Sequence, residues 1–134
     1  IIRTCSCLDV MVEIIEPCGF MLNDKRFKRV VMDYLDEKMI KFYKNYDDFF
    51  KIKKKEKERI ILMTTKASTP YSSFNFKITD TILFGRESFG VPEKIHKLVD
   101  NRLKIPLSFK KRSLNLASSV AIILAESLRQ NKLI

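Results

Sequence analysis

A chain of 134 residues with 46% hydrophobic and 31% charged content can bury a core without disulfides or metal, and its composition excludes the disordered class. Its net charge of +10 favours a polyanionic partner, nucleic acid before an anionic membrane surface. No apolar run reaches the length of a membrane span and no signal peptide is visible, so the three cysteines read as reduced thiols of a cytoplasmic protein.

The spacing of Ile1, Ile2, Cys5 and Leu8 predicts a helix over 1–8. It has no cap before it, so the chain is expected to start inside an element, with residues missing upstream. Val12 to Ile15 reads as a short buried strand closed by Glu16, Pro17 and Gly19. Asn23 or Asp24 then caps a basic helix carrying Lys25, Arg26, Lys28 and Arg29 and ending near Asp33. Met39 to Tyr43 alternates as a strand, and Asp47 to Ile52 is apolar on one side, with Phe49 and Phe50. The lysine-rich run from Lys51 to Arg59 is expected to be a solvated helix end or loop.

Arg59 to Thr65 is the clearest interior strand, with Ile60, Ile61, Leu62 and Met63 continuous. A loop with Ser68, Pro70, Tyr71 and Ser72 follows, then a strand over Thr81 to Gly85, a helix from Pro92 to Leu98 and a last strand from Arg102 to Leu107. Lys110, Lys111 and Arg112 form a basic loop leading to a helix that Ser113 is expected to cap and that runs to Gln130. Its residues Val120 to Ala125 are apolar round the whole circumference, which predicts one face on the sheet and another on a second subunit. Strands alternating with helices predict an α/β domain with a mostly parallel sheet flanked by helices, occupying residues 1–134 as a single domain.

In such sheets ligands bind beyond the carboxyl ends of the strands. Three such ends carry candidate residues: Met63 to Lys66, Gly85 to Gly90, and Ile105 to Asn115. The glycines flanking Glu87 would let the backbone approach a ligand, though an ordinary strand-to-helix turn explains them equally well. Neither a phosphate-binding P-loop nor a dinucleotide fingerprint occurs. Cys5 and Cys7 point different ways on a helix and no Cys-His cluster completes a metal site, so buried thiols and no metal are expected. His96, the one histidine, is read as a surface residue among lysines, and Phe49, Phe50, Phe74 and Phe76 as core.

Taken together, an arginine in the first helix, then LFGRESFGVP, then IPLSFKKRSLNLASSVAIILAE resemble the SPOUT superfamily of S-adenosylmethionine-dependent RNA methyltransferases. IIEPCGF, NDKRFKR and MDY resemble its small single-domain members, which methylate the ribose 2′-hydroxyl of the wobble nucleotide, position 34, of tRNA. The likeness covers nearly the whole chain. It implies a deep C-terminal trefoil knot, S-adenosylmethionine held in that knot, and a homodimer through the first and last helices with the active site at the interface.

Carried over onto this chain, the resemblance places the cofactor against Met63, Gly85, Ile105, Leu107, Ser113 and Leu114, and gives Arg3, Glu87, Ser113 and Asn115 to the catalytic set. Arg3 is expected to clamp a phosphate and stabilise charge developing on oxygen, since a guanidinium is a poor base. Lys25, Arg26, Lys110 and Arg112 are expected to rim a cleft for the anticodon stem-loop, with Lys53, Lys54 and Lys55 as solvated surface. Two features depart from the family: the asparagine and first strand expected before Arg3 are absent, and Ala125 stands where some relatives carry tyrosine. Methylation of another tRNA or rRNA position, or RNA binding without catalysis, are the rival functions. Intact Glu87, Ser113 and Asn115 favour catalysis.

Overall fold

The computed structural model describes residues 1–18, 23–34 and 37–134, so Gly19, expected in the turn after the first strand, lies outside the described residues. The chain divides into two compact units, Ile1–Glu56 and Lys57–Ile134.

In the first unit, α1 (Ile2–Cys7) buries Cys5 but leaves Cys7 exposed, so of the two thiols expected to be buried only Cys5 is, the two lying on different faces of the helix. The strands β1 (Val12–Ile15) and β2 (Ile40–Tyr43) pair in parallel, with Val12 opposite Ile40 and Ile15 opposite Tyr43. Between them lies α2 (Lys25–Tyr34), where Asp24 Oδ1 accepts from the Arg26 N–H at 2.7 Å and so satisfies one of the free first-turn donors. The next helix, α3 (Tyr46–Glu56), starts on Asn45, whose Oδ1 accepts from the Asp48 N–H at 2.8 Å. Acidic Asp47 and Asp48 in its first turn and basic Lys53 to Lys55 in its last both complement the helix dipole.

The lysine run corrects the expectation of a solvated segment at one position. It is helical as far as Glu56, and Lys53 is only 3% exposed. The reason is periodicity: Lys53 falls one helical turn after the buried Phe49, on the same face. Its Nζ donates to Glu13 Oε1 at 2.8 Å, and the same oxygen accepts from the Tyr43 hydroxyl at 2.9 Å. Burial, reinforced by the Glu13 carboxylate, pushes the Tyr43 phenol well above its ordinary range. The Phe49 ring meets the edge of Tyr43 at 5.1 Å and of Phe50 at 5.3 Å.

The second unit is built on a parallel sheet in the order β4-β6-β3-β5. β3 (Ile60–Met63) is interior, with Ile61 and Leu62 fully buried, as its unbroken apolar sequence demands. β5 (Thr81–Phe84) and β6 (Asn101–Lys104) flank it. β6 ends before the expected Leu107 because Pro106 has no N–H to extend the ladder. The segment read as a loop around Pro70 contains a two-residue edge strand, β4 (Thr69–Pro70), at an edge where proline is tolerated.

The helix α4 (Glu93–Leu98) follows Pro92 and turns Ile95 and His96 inward. His96 is therefore 5% exposed, not the surface residue expected; it is Lys94 and Lys97 that face solvent. The last helix, α5 (Leu116–Gln130), is capped by Asn115 rather than Ser113: Asn115 Oδ1 accepts from the N–H of Ala117 at 2.9 Å and of Ser118 at 3.3 Å. It buries Val120, Ile123 and Leu124, spaced as one helical stripe, and Ile123 joins Ile61, Met63, Phe76 and Leu103 in the core. At its other end Gln130 accepts from the Phe76 N–H at 2.8 Å and donates to the Phe74 carbonyl at 3.0 Å. Among the described residues no helix is long and apolar enough to cross a membrane.

Candidate functional site

Because β6, β3 and β5 are parallel neighbours, their carboxyl ends share one edge of the sheet. β3 is joined to β5 on one side and, after a crossover, to β6 on the other, the arrangement that opens a crevice at a strand-order reversal. A small hollow, open to solvent and with a volume of about 80 Å³, lies at that edge. Its floor comes from Met63, Thr64 and Thr65 at the end of β3 and from Phe84 at the end of β5; Ile105, Leu107, Leu114 and Ser119 complete it.

Among the described residues, no ionised side chain lines the hollow. Apolar walls with three hydroxyl-bearing residues suit a flat heteroaromatic group with polar edges, and a cation there meets no opposing charge from the lining. The backbone supports this edge beyond the strands: the Thr64 N–H donates to the Leu103 carbonyl at 2.9 Å, and the Thr64 carbonyl accepts from Ala67 at 3.3 Å. Outside the hollow, Lys66 meets Glu93 at 3.0 Å, and that hydrogen bond holds the Glu93 carboxyl below its ordinary range.

The loop after β5 doubles back on itself. The Arg86 N–H donates to the Gly90 carbonyl at 3.0 Å and the Gly90 N–H to the Arg86 carbonyl at 2.7 Å. A Cβ on Gly85 would lie 2.5 Å from Gly90 C and 2.8 Å from Val91 N, so the missing side chain of Gly85 makes room for its own loop. Gly90 has φ +66°, the left-handed conformation that glycine adopts without strain. Glu87, at the tip, accepts from Asn115 Nδ2 at 3.2 Å, which ties this loop to the first turn of α5.

Four of the expected cofactor residues, Met63, Ile105, Leu107 and Leu114, therefore meet around one hollow. Gly85 and Ser113 are not in its wall: Gly85 is turned to the loop, and Ser113 is exposed ahead of the helix. Thr64 and Thr65, from the first candidate strand end, are in the wall as well, whereas Phe84 and Ser119 are there without having been expected. Finding Ser119 needed the helix start at Leu116.

In the other unit, Arg3 is exposed on α1 with its guanidinium 5.0 Å from the centre of the Tyr34 ring. A cation–π contact of this kind restrains the guanidinium while leaving N–H groups free to donate. Lys25, Arg26, Lys28 and Arg29 are all exposed on α2. Lys110, Lys111 and Arg112 are exposed in the second unit, where the Lys111 N–H turns back to the Ser108 carbonyl at 3.2 Å.

Residues 1–125 match the model of the SpoU rRNA Methylase family. A Beijerinckia indica protein named tRNA (cytidine(34)-2'-O)-methyltransferase is 44% identical over 129 residues, covering 96% of this chain and 81% of its own. A solved structure described as giving insights into the 2-OH methylation of C/U34 on tRNA superposes with a TM-score of 0.87 at 29% identity, covering 98% of this chain and 85% of that one. The SpoU methyltransferase AviRb of Streptomyces viridochromogenes, solved in complex with the cofactor AdoMet, shares the fold at a TM-score of 0.79 and 19% identity, covering 98% of this chain and 54% of its own.

Proposed function

Since the chain belongs to the SpoU rRNA methylase family, we propose that it uses S-adenosylmethionine to methylate the ribose 2′-hydroxyl of the wobble nucleotide, cytidine or modified uridine 34, of tRNA. The observation that carries this reading is the uncharged hollow at the carboxyl ends of β3, β5 and β6, beside the Glu87–Asn115 contact. When bound, S-adenosylmethionine would supply an electrophilic methyl group on a sulfonium that leaves as a neutral thioether, while the 2′-oxygen gains the methyl and its proton passes to solvent. The choice of position 34 is supported by the named relatives.

In this reading Met63, Ile105, Leu107 and Leu114 would hold the cofactor's apolar surfaces, and Thr64, Thr65 and Ser119 its polar edges. Gly85 allows the loop to close, and Glu87 and Asn115 set its position against α5. Arg3 binds a phosphate of the RNA and stabilises charge building on the attacking oxygen, with Tyr34 steadying it. Orientation of the ribose supplies much of the acceleration. Lys25, Arg26, Lys110 and Arg112 contact phosphates of the anticodon stem-loop.

The trefoil knot and the homodimer belong to the same proposal. A crystal structure tracing the chain through 85–90 and 105–115 checks the knot. Exposed Ala117, Ser118 and Ala125 leave a face of α5 open to a second copy, and sedimentation at micromolar concentration should give twice the chain mass. Transfer itself is tested by incubating the protein with tRNA and S-adenosylmethionine and locating the modified ribose by mass spectrometry. Methyl at another position would redirect the reading, and no transfer with no binding of the thioether product would overturn it. Arg3→Ala should abolish transfer with cofactor affinity unchanged; a rate within a fewfold of the parent would refute the clamp.

A further inference from the structure

Two phenylalanines stand almost wholly in solvent at the carboxyl edge of the four-stranded sheet: Phe89 is 80% exposed and Phe109 is 87% exposed. A single exposed apolar side chain needs no explanation. These two are related by topology, for Phe89 lies in the loop after β5 and Phe109 in the segment after β6, the two strands that flank β3. The same two segments are joined by the hydrogen bond from Asn115 to Glu87. Each ring also carries its own cation. The Arg86 guanidinium is 5.4 Å from the centre of the Phe89 ring, and Lys110 Nζ is 5.7 Å from that of Phe109.

Exposed rings interleaved with cations suit one class of partner above others. An apolar protein surface would have to desolvate Arg86 and Lys110 without pairing them, which costs more than two rings return. An unpaired stretch of RNA satisfies both halves: its bases present π faces to the rings, and its phosphates meet the cations, here with Lys111 and Arg112 exposed alongside. We propose that Phe89 and Phe109 are stacking platforms for unpaired nucleobases of the RNA substrate, flanking the nucleotide whose ribose is presented at the carboxyl edge of β3. The inference rests on reading that edge as the site of RNA methylation, and it adds a selection for looped over paired RNA that phosphate contacts alone cannot make.

The test compares the full chain with Phe89→Leu, Phe109→Leu and the ring-keeping Phe89→Tyr and Phe109→Tyr. Leucine retains apolar bulk and removes the π face. Both positions are exposed, so folding is not at stake, and a matching Tm for each variant checks this. Fluorescence anisotropy is read with a labelled anticodon stem-loop and with a paired RNA duplex of equal length, and S-adenosylhomocysteine affinity is measured beside it. Each leucine variant should lose roughly tenfold in stem-loop affinity. Duplex and S-adenosylhomocysteine affinities should hold, and the tyrosine variants should bind as the parent does. Leucine variants that bind the stem-loop like the parent, or that lose duplex equally, would overturn the platforms. So would a parent that does not bind the stem-loop, or a sedimentation change showing that the rings meet a second copy. Methylation of position 34 is scored separately on the parent, so an error in the proposed reaction is seen apart from an error about the rings.

Discussion

Asn115 serves two elements with one amide: Oδ1 caps α5, and Nδ2 donates to Glu87 at 3.2 Å, so the start of the last helix fixes the tip of the loop after β5. The two halves can be separated by substitution. Asn115→Ala removes both, and should cost about 1 kcal/mol of stability through the missing cap together with most of the methyl-transfer rate. Asn115→Asp keeps an acceptor for the first turn but sets a carboxylate against Glu87, so Tm should stay near that of the parent while kcat/KM falls as far as in the alanine variant. Equal rates in the aspartate variant and the parent would show that the Glu87 contact is incidental.

Gly85 and Gly90 differ in why they are glycines, and alanine at each should behave differently. At Gly85 the new Cβ would sit 2.5 to 2.8 Å from the backbone of Gly90 and Val91, which can move only by opening the loop. The expected cost is about 1–3 kcal/mol, with S-adenosylhomocysteine affinity lost alongside. At Gly90 nothing lies within 4 Å of a new Cβ, and only the left-handed φ of +66° is unfavourable, at about 1–2 kcal/mol. Gly90→Ala should therefore bind the product better than Gly85→Ala; the reverse order in calorimetry would refute the close-approach account.

The carboxyl end of α5 predicts an acid limit. Glu126 accepts from Arg129 at 2.8 and 2.9 Å and from Gln130 Nε2 at 2.8 Å, and the Arg129 hydrogen bonds, ahead of that of Gln130, hold its carboxyl down at about 2. A folded-state value below the unfolded one means that the stabilisation is complete above the ordinary carboxylate range and is lost as pH falls from there towards 2. Gln130 also bonds the backbone at Phe74 and Phe76, so protonation should loosen that contact first. Urea midpoints measured between pH 6 and 2.5 should fall more steeply in the parent than in Glu126→Gln. Parallel curves would remove Glu126 from the acid transition.

What sequence could and could not convey divides along physical lines. β3 was legible because a buried parallel strand leaves an unbroken apolar run, and the three strand ends were legible because polar and glycine residues follow such runs directly. The start of α5 was not, since Ser113 and Asn115 are both good caps and only the φ, ψ path of the basic loop decides between them. Lys53 and His96 were misread for a shared reason. Their charge or polarity argued for solvent, while the helical turn carried each onto a buried face beside Phe49 or Ile95. Phe89 and Phe109 lie within two of those strand ends, but their exposure was not legible, because it depends on how each loop folds after its strand.

The burial of Lys53 changes how RNA binding must be tested. A control set drawn from Lys53, Lys54 and Lys55 would mix charge removal with unfolding, because Lys53→Ala leaves the largely buried Glu13 carboxylate without its ammonium partner at 2.8 Å. That change should approach the roughly 3 kcal/mol at the lower end of the range for a broken buried pair, seen as a drop in Tm. Lys54 and Lys55 are exposed on α3 and Lys25 and Arg26 are exposed on α2, so each pair can be changed to alanine at little cost in stability. If α2 holds tRNA phosphates, the Lys25→Ala, Arg26→Ala double variant should bind more weakly and reduce the slope of log affinity against log salt by roughly one unit for each phosphate no longer neutralised. The Lys54→Ala, Lys55→Ala variant removes the same charge and should keep most of the slope. Equal slopes for the two variants, measured by filter binding over a salt series, would mean that general charge attracts the tRNA and that α2 has no particular place in holding it.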